Sequence, residues 1–124
     1  MNLPIRIEKL EDVVIAHLEG ETLDASNAKD FKSGIAPWIS PNARIILDLS
    51  VLKFVDSSGL GALLSCLRQL NASGGDLKLY GMIKPVRALF ELVRMHRVFE
   101  IFNTREEALR SYESSLAVVV ETKR

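Results

Sequence analysis

The chain has a single cysteine, Cys66, so no disulfide framework within it can hold the fold. It has no excess of charge of either sign: 16 basic and 16 acidic side chains give a formal net charge of zero. That argues against a general nucleic-acid binder, which needs a basic surface to displace counterions. No apolar run approaches the roughly 18–20 residues of a membrane span. Met1-Asn2-Leu3-Pro4 lacks a basic end followed by an apolar run, so no secretory signal is expected and a cytoplasmic location is. Only two histidines exist, and both are distant in sequence from Ser57, so no Ser-His catalytic pair is expected. There is no internal repeat, low-complexity tract or linker.

What is present is an ordinary globular balance, with 48% hydrophobic and 26% charged residues over 124 positions. One domain with a modest core is expected over 1–124, its core spanning about residues 5–112 and 113–124 forming a C-terminal extension. Ile5 to Leu10 alternates apolar and polar residues, the period of a half-buried strand. Val13 to Leu18 is β-rich and follows the polar pair Glu11-Asp12, which predicts an antiparallel hairpin. Leu23 to Asn27 offers helix-capping side chains before Ala28, Phe31, Ile35, Trp38 and Ile39 at helical spacing. Arg44 to Leu49 is a near-continuous apolar run that suits a central strand.

Leu60, Leu63, Leu64, Leu67 and Leu70 form the clearest helical stripe, with Cys66 beside it as a small buried filler. Leu77-Lys78-Leu79-Tyr80 reads as a strand. Pro85 opens a helix with the stripe Val86, Leu89, Phe90 and Val93. Val98 to Phe102 reads as a final strand, and Thr104 with Glu107 makes a capping box for a last helix carrying Ala108, Leu109 and Tyr112. Leu116 to Val120 is β-prone, and its partner is left open. The order predicts an α/β fold: a mixed sheet of four or five strands with an N-terminal antiparallel hairpin, then alternating strands and helices.

The most informative segment is Phe54-Val55-Asp56-Ser57-Ser58-Gly59-Leu60-Gly61, between a predicted strand and the clearest helix. Two readings fit it. Asp and Ser are good N-caps, and glycine eases a strand-to-helix turn. Equally, free N–H groups and the positive end of the helix dipole favour an anion there, so a phosphate on a serine would be tolerated by the fold. It would add nearly two negative charges to an exposed surface. The segment lacks the third glycine of a dinucleotide fingerprint, the lysine of a phosphate-binding loop and the glycine of a nucleophile elbow. Asp24, Asp48 and Asp56 lie near predicted strand ends, where a divalent cation or simple capping and solvation would each account for them.

The chain resembles the STAS domain of bacterial anti-sigma-factor antagonists over roughly residues 5 to 112. The resemblance is carried by Phe54 to Gly61 after Ile45-Ile46-Leu47-Asp48-Leu49, by Gly20-Glu21 with Leu23-Asp24, and by Gly75-Asp76-Leu77-Lys78-Leu79. Pro85 to Phe90, Val98 to Phe102 and Glu107-Ala108-Leu109 add to it. It implies partner switching. The unmodified antagonist binds an anti-sigma factor that is also a serine kinase with a GHKL-type ATP site, which releases a sigma factor. The kinase phosphorylates the serine after the Asp, here Ser57, and a PP2C-type phosphatase reverses this. Asp56, Ser58 and Gly59 are then neighbours of the phosphosite, and Asp24, Ser57, Ser58 and Gly61 line the partner surface. No catalytic residue, metal or cofactor is implied.

Two positions depart from the family pattern. Thr22 lengthens the loop that carries Asp24, and Arg94-Met95-His96 stands where the family often has a small residue, Gly and Leu. Two other functions fit the same segment: a nucleotide or anion sensor using the helix start at Ser57 to Gly59, or a scaffold in a signalling assembly. Oligomeric state is left open.

Overall fold

In chain order the elements are β1 (Ile5–Lys9), β2 (Val14–Leu18), β3 (Thr22–Leu23), α1 (Ala28–Ile35), β4 (Arg44–Asp48) and β5 (Phe54–Val55). They continue with α2 (Ser57–Ala72), β6 (Asp76–Tyr80), α3 (Lys84–Leu92), β7 (Glu100–Phe102) and α4 (Arg105–Thr122). This computed structural model describes residues 3–122, with side chains described as far as Glu113.

Five strands form one sheet in the order β1-β2-β4-β6-β7. The β1–β2 hairpin is antiparallel and the remaining pairings are parallel, as the alternation of strands and helices requires. Its polar turn closes with the Leu10 N–H donating to the Val13 carbonyl at 2.8 Å. The pleat sorts the side chains. Ala16, Leu18, Ile45, Leu47, Leu77 and Leu79 turn to one face, where Phe31, Ile35, Leu63, Leu70, Val86 and Phe90 of three helices bury them. Ile15, Ile46 and Tyr80 turn to the other face, covered by Ala108 and Tyr112 of α4. Each large apolar side chain so buried contributes about 1.5–3 kcal/mol before entropy is counted.

The hairpin, the central strand, the α2 stripe and the Thr104–Glu107 capping box are all found where the sequence places them. Glu107 N–H donates to Thr104 Oγ1 at 3.2 Å, and Glu107 Oε1 accepts from Thr104 N–H at 3.3 Å. Several expectations are corrected. Helix α1 stops at Ile35, and Ala36–Trp38 is a 3-10 turn with Pro37 inside it. The last strand is Glu100–Phe102 only: Val98 is 51% exposed, and Phe99 is held in the preceding turn by its N–H bond to the Met95 carbonyl. Val93 lies off the buried stripe of α3, at 41% exposure. The β-prone stretch 116–120 continues the backbone of α4. The side chains of that stretch lie outside those described.

Two short strands were not legible in the sequence. β3 and β5 pair in parallel, Thr22 with Phe54 and Leu23 with Val55, as a separate two-stranded ladder. It ties the loop after β2 to the loop after β4, at the C-terminal rim of the parallel strands. Open α/β sheets place their functional loops at that rim.

Candidate functional site

Helix α2 begins on this rim, and its first residues are set by Asp56. The Asp56 backbone is extended (φ −107°, ψ −174°), and its carboxylate accepts from the Gly59 N–H at 2.9 Å. That satisfies one of the orphan donors of the first turn. The other carboxylate oxygen accepts from the Ala25 N–H at 3.2 Å, in the loop after β3. Asp56 also donates its N–H to the Leu23 carbonyl at 3.2 Å. One residue therefore fixes both the helix start and the neighbouring loop.

Gly59 is required by packing. A Cβ there would run into the Leu23 carbonyl oxygen and come within 2.7 Å of Val55 Cγ2. Gly61 is different: it is exposed, and nothing lies within 4 Å of the position a Cβ would take. Ser57 and Ser58 are both exposed, and neither hydroxyl is hydrogen-bonded within the chain among the described residues. Ser57 and Gly61 are four residues apart on the helix, so they share one face. Phe54, beside them on β5, is 53% exposed.

Asp24 sits on the loop that Asp56 anchors. Its Oδ1 accepts from the Ser26 hydroxyl at 2.6 Å and the Ser26 N–H at 2.9 Å. Those bonds hold its carboxyl below the usual range, so it is an anion at neutral pH. Asn27 precedes α1 but does not cap it. Its Oδ1 accepts from the Asp24 N–H at 2.9 Å and its Nδ2 donates to the Thr22 carbonyl at 2.8 Å, so the buried side chain props the loop. Thr22 pairs with Phe54 in β3, which leaves Asp24 in the loop tied to Asp56. Asp24, Asp56, Ser57, Ser58, Gly59 and Gly61 thus gather at one rim.

The three aspartates do not form a cation site. Asp48 is taken up elsewhere, by His17 and Ser50, and among the described residues no three His, Cys, Asp or Glu side chains are arranged to hold a metal ion. Cys66 is buried, and desolvation pushes its thiol up to about 11, so it stays protonated and inert.

Sequence reasoning missed a polar chain on the α4 face. His17 is buried, with Nδ1 2.6 Å from Asp48 Oδ2 and Nε2 2.9 Å from Glu8 Oε1. Arg105, at the start of α4, donates from both terminal nitrogens to the two Glu8 oxygens at 2.6 Å. Arg105 first, then His17, lower the Glu8 carboxyl to about 2. Burial pushes the Asp48 carboxyl up, but hydrogen bonds from His17 and Ser50 outweigh it and leave it below its usual value. The Asp48 Oδ1 accepts from the Ser50 N–H at 2.9 Å, where the segment toward Ser57 begins. The register of β2 and β4, with His17 opposite Asp48, is the signal that would have found this pair.

The rim therefore presents two exposed serine hydroxyls on a capped Asp-Ser-Ser-Gly turn. A profile of the STAS domain matches residues 4–108, and the chain belongs to that family. It is 30% identical over 115 residues to the anti-sigma F factor antagonist of Paenibacillus polymyxa, covering 91% of this chain and 97% of the relative. Among solved structures it is similar to the anti-sigma factor antagonist SpoIIAA in its unphosphorylated form. That match has a TM-score of 0.72 and 26% identity over 90% of this chain and 97% of the other. It is also similar to the Bacillus cell fate determinant SpoIIAA in the phosphorylated form, with TM-score 0.64, 25% identity, and coverage of 88% and 99%. Among the described residues no helix is long and apolar enough to cross a membrane.

Proposed function

We propose that this chain is an anti-sigma factor antagonist that works by partner switching at Ser57. Unphosphorylated, it binds an anti-sigma factor that is also a GHKL-type serine kinase and so frees a sigma factor. In the switching step the Ser57 oxygen attacks the γ-phosphorus of ATP. The bond from that phosphorus to the ADP oxygen breaks, and the hydroxyl proton goes to a base on the kinase. A PP2C-type phosphatase restores the serine by hydrolysis, with water entering and inorganic phosphate leaving. The chain supplies an acceptor and a surface, with no catalytic group and no cofactor of its own, and it acts in the cytoplasm.

The observation that carries this reading is the exposed, unbonded Ser57 hydroxyl at the first position of α2, beside a carboxylate already committed to the cap. The helix N-terminus accepts a phosphate without unfolding. On the surface, a near-dianion joins Asp56 and the ionised Asp24. A thousandfold loss of affinity needs about 4 kcal/mol. Desolvating that cluster against a partner without a matching cation supplies it. Phe54 gives the unmodified surface an apolar anchor, and Gly61 lets a partner backbone come close.

The test is peptide mass spectrometry of the protein from its native cells, followed by calorimetry against the kinase. Phosphate is expected on Ser57. Ser57→Ala should bind without being switched, and Ser57→Asp should bind poorly while melting like the wild type. A folded Ser57→Asp with full affinity would overturn the reading.

A further inference from the structure

The β7 edge of the sheet carries a groove that the switch does not use. Helix α3 starts at the same rim as Ser57 and runs back to the opposite one, where the turn Val93 to Phe99 feeds β7. Between α3, that turn and β7 lies a concavity of about 390 Å³. Its apolar wall is Val98, 51% exposed, with Ile101 and Phe102 half-buried beside it.

The unpaired charge of this groove is positive. Its two acids are already engaged: Glu91 by Arg87 at 3.5 Å and Glu100 by Lys78 at 3.4 Å. Arg97 and His96 line the same groove, and among the described residues neither has a carboxylate within 4.0 Å. The stretch from Lys84 to Val98 holds four Lys and Arg against one Glu, in a chain whose net charge is zero. β7 is also the edge of the sheet. The Phe102 carbonyl accepts from the Gly81 N–H on the β6 side, so parallel alternation turns the N–H and carbonyl of Ile101 outward. Nothing in the sheet pairs with them.

We propose that this groove docks an extended segment of a partner protein with a carboxylate beside apolar residues. The carboxylate meets Arg97, an apolar side chain packs on Val98 and Ile101, and one residue of the segment pairs with the Ile101 backbone. The concave shape and single exposed backbone pair favour a peptide over a lipid surface. Ser57 is not among the residues that line the groove, so a partner held here stays bound whether or not Ser57 is phosphorylated.

The test is an NMR titration of the full chain with a synthetic peptide of two Val flanked by Glu, and with its Lys counterpart. Saturable shifts are expected at Arg97, Val98 and Ile101 with the Glu peptide only, and unchanged in Ser57→Asp. Arg97→Glu, an exposed site, should weaken the Glu peptide by about tenfold and gain binding to the Lys peptide. Three results would overturn the proposal: no localised shifts at millimolar peptide, full affinity in Arg97→Glu, or Arg97-dependent flotation with phosphatidylglycerol vesicles in place of peptide binding.

Discussion

The Asp56 carboxylate bridges two backbone donors from different loops, Gly59 N–H at 2.9 Å and Ala25 N–H at 3.2 Å. The cap of α2 and the position of the Asp24 loop are therefore one structural event. Removing the side chain in Asp56→Ala should cost about 1–2 kcal/mol in urea denaturation. Asp56→Asn separates the two roles. Its amide oxygen can still cap Gly59, but its amide nitrogen cannot accept from Ala25. We expect a stability loss near 0.5 kcal/mol, faster amide exchange at Ala25, and weaker partner binding. Wild-type exchange at Ala25 in this variant would show that β3 and Asn27 hold the loop without the Asp56 bond.

Two glycines of the same helix turn should respond in opposite senses. Gly59→Ala drives a methyl into the Leu23 carbonyl and toward Val55, and should destabilise by about 1–3 kcal/mol. Gly61→Ala meets nothing within 4 Å and should stabilise by about 0.5–1 kcal/mol, the ordinary helix preference. The fold alone gives no reason for glycine at 61. A partner that approaches closely does, so Gly61→Ala should raise the melting temperature while weakening binding in calorimetry. If both rise together, Gly61 does not face the partner.

Much of this fold is legible in the sequence. The Leu60 to Leu70 stripe, the hairpin turn at Glu11-Asp12 and the Thr104–Glu107 box are local signals with one physical solution each. The segment Asp56 to Gly61 stands out because its residues are contiguous, whereas the Asp24 loop joins it only through the bond from Ala25 to Asp56. The β3–β5 ladder is not legible, because strands of two residues carry no period and exist only by pairing across 32 positions. The Glu8–His17–Asp48–Arg105 chain joins four elements, and no window along the sequence contains it. Trp38 and Ile39 match helical spacing, but Pro37 turns the backbone into a 3-10 turn before the pattern is complete.

Arg94 occupies the left-handed region, with φ +63° and ψ +25°. A side chain there crowds its own carbonyl, at a cost of about 1–2 kcal/mol that glycine does not carry. Arg94→Gly should stabilise by about 1 kcal/mol and raise the melting temperature by about 4 °C, after the greater chain entropy of glycine is offset. Calorimetric melts of the two proteins decide it, and a lower melting temperature for Arg94→Gly would mean that the Arg94 side chain makes up for its backbone.

The Glu8 carboxylate gives the fold an acid-sensitive joint. Its folded value of about 2 lies below its ordinary value of 4.5, chiefly through Arg105 and then His17. A depressed carboxyl contributes stability that is complete above its unfolded value and is lost as pH falls through the folded one. Asp48 is also held low and acts in the same direction. Glu8→Gln keeps the shape but forfeits the charge-assisted pair with Arg105. At pH 7 it should be less stable than the wild type by about 1–2 kcal/mol, allowing for solvent screening of a partly exposed pair. The gap should narrow between pH 4.5 and about 2 and close at the lower end, because the wild-type carboxyl is by then protonated as well. Urea midpoints at pH 7, 4 and 2.5 test this directly. A gap independent of pH would assign the loss to packing, and no gap at pH 7 would mean that α4 is anchored by Tyr112 and Ala108 without the ionic contact.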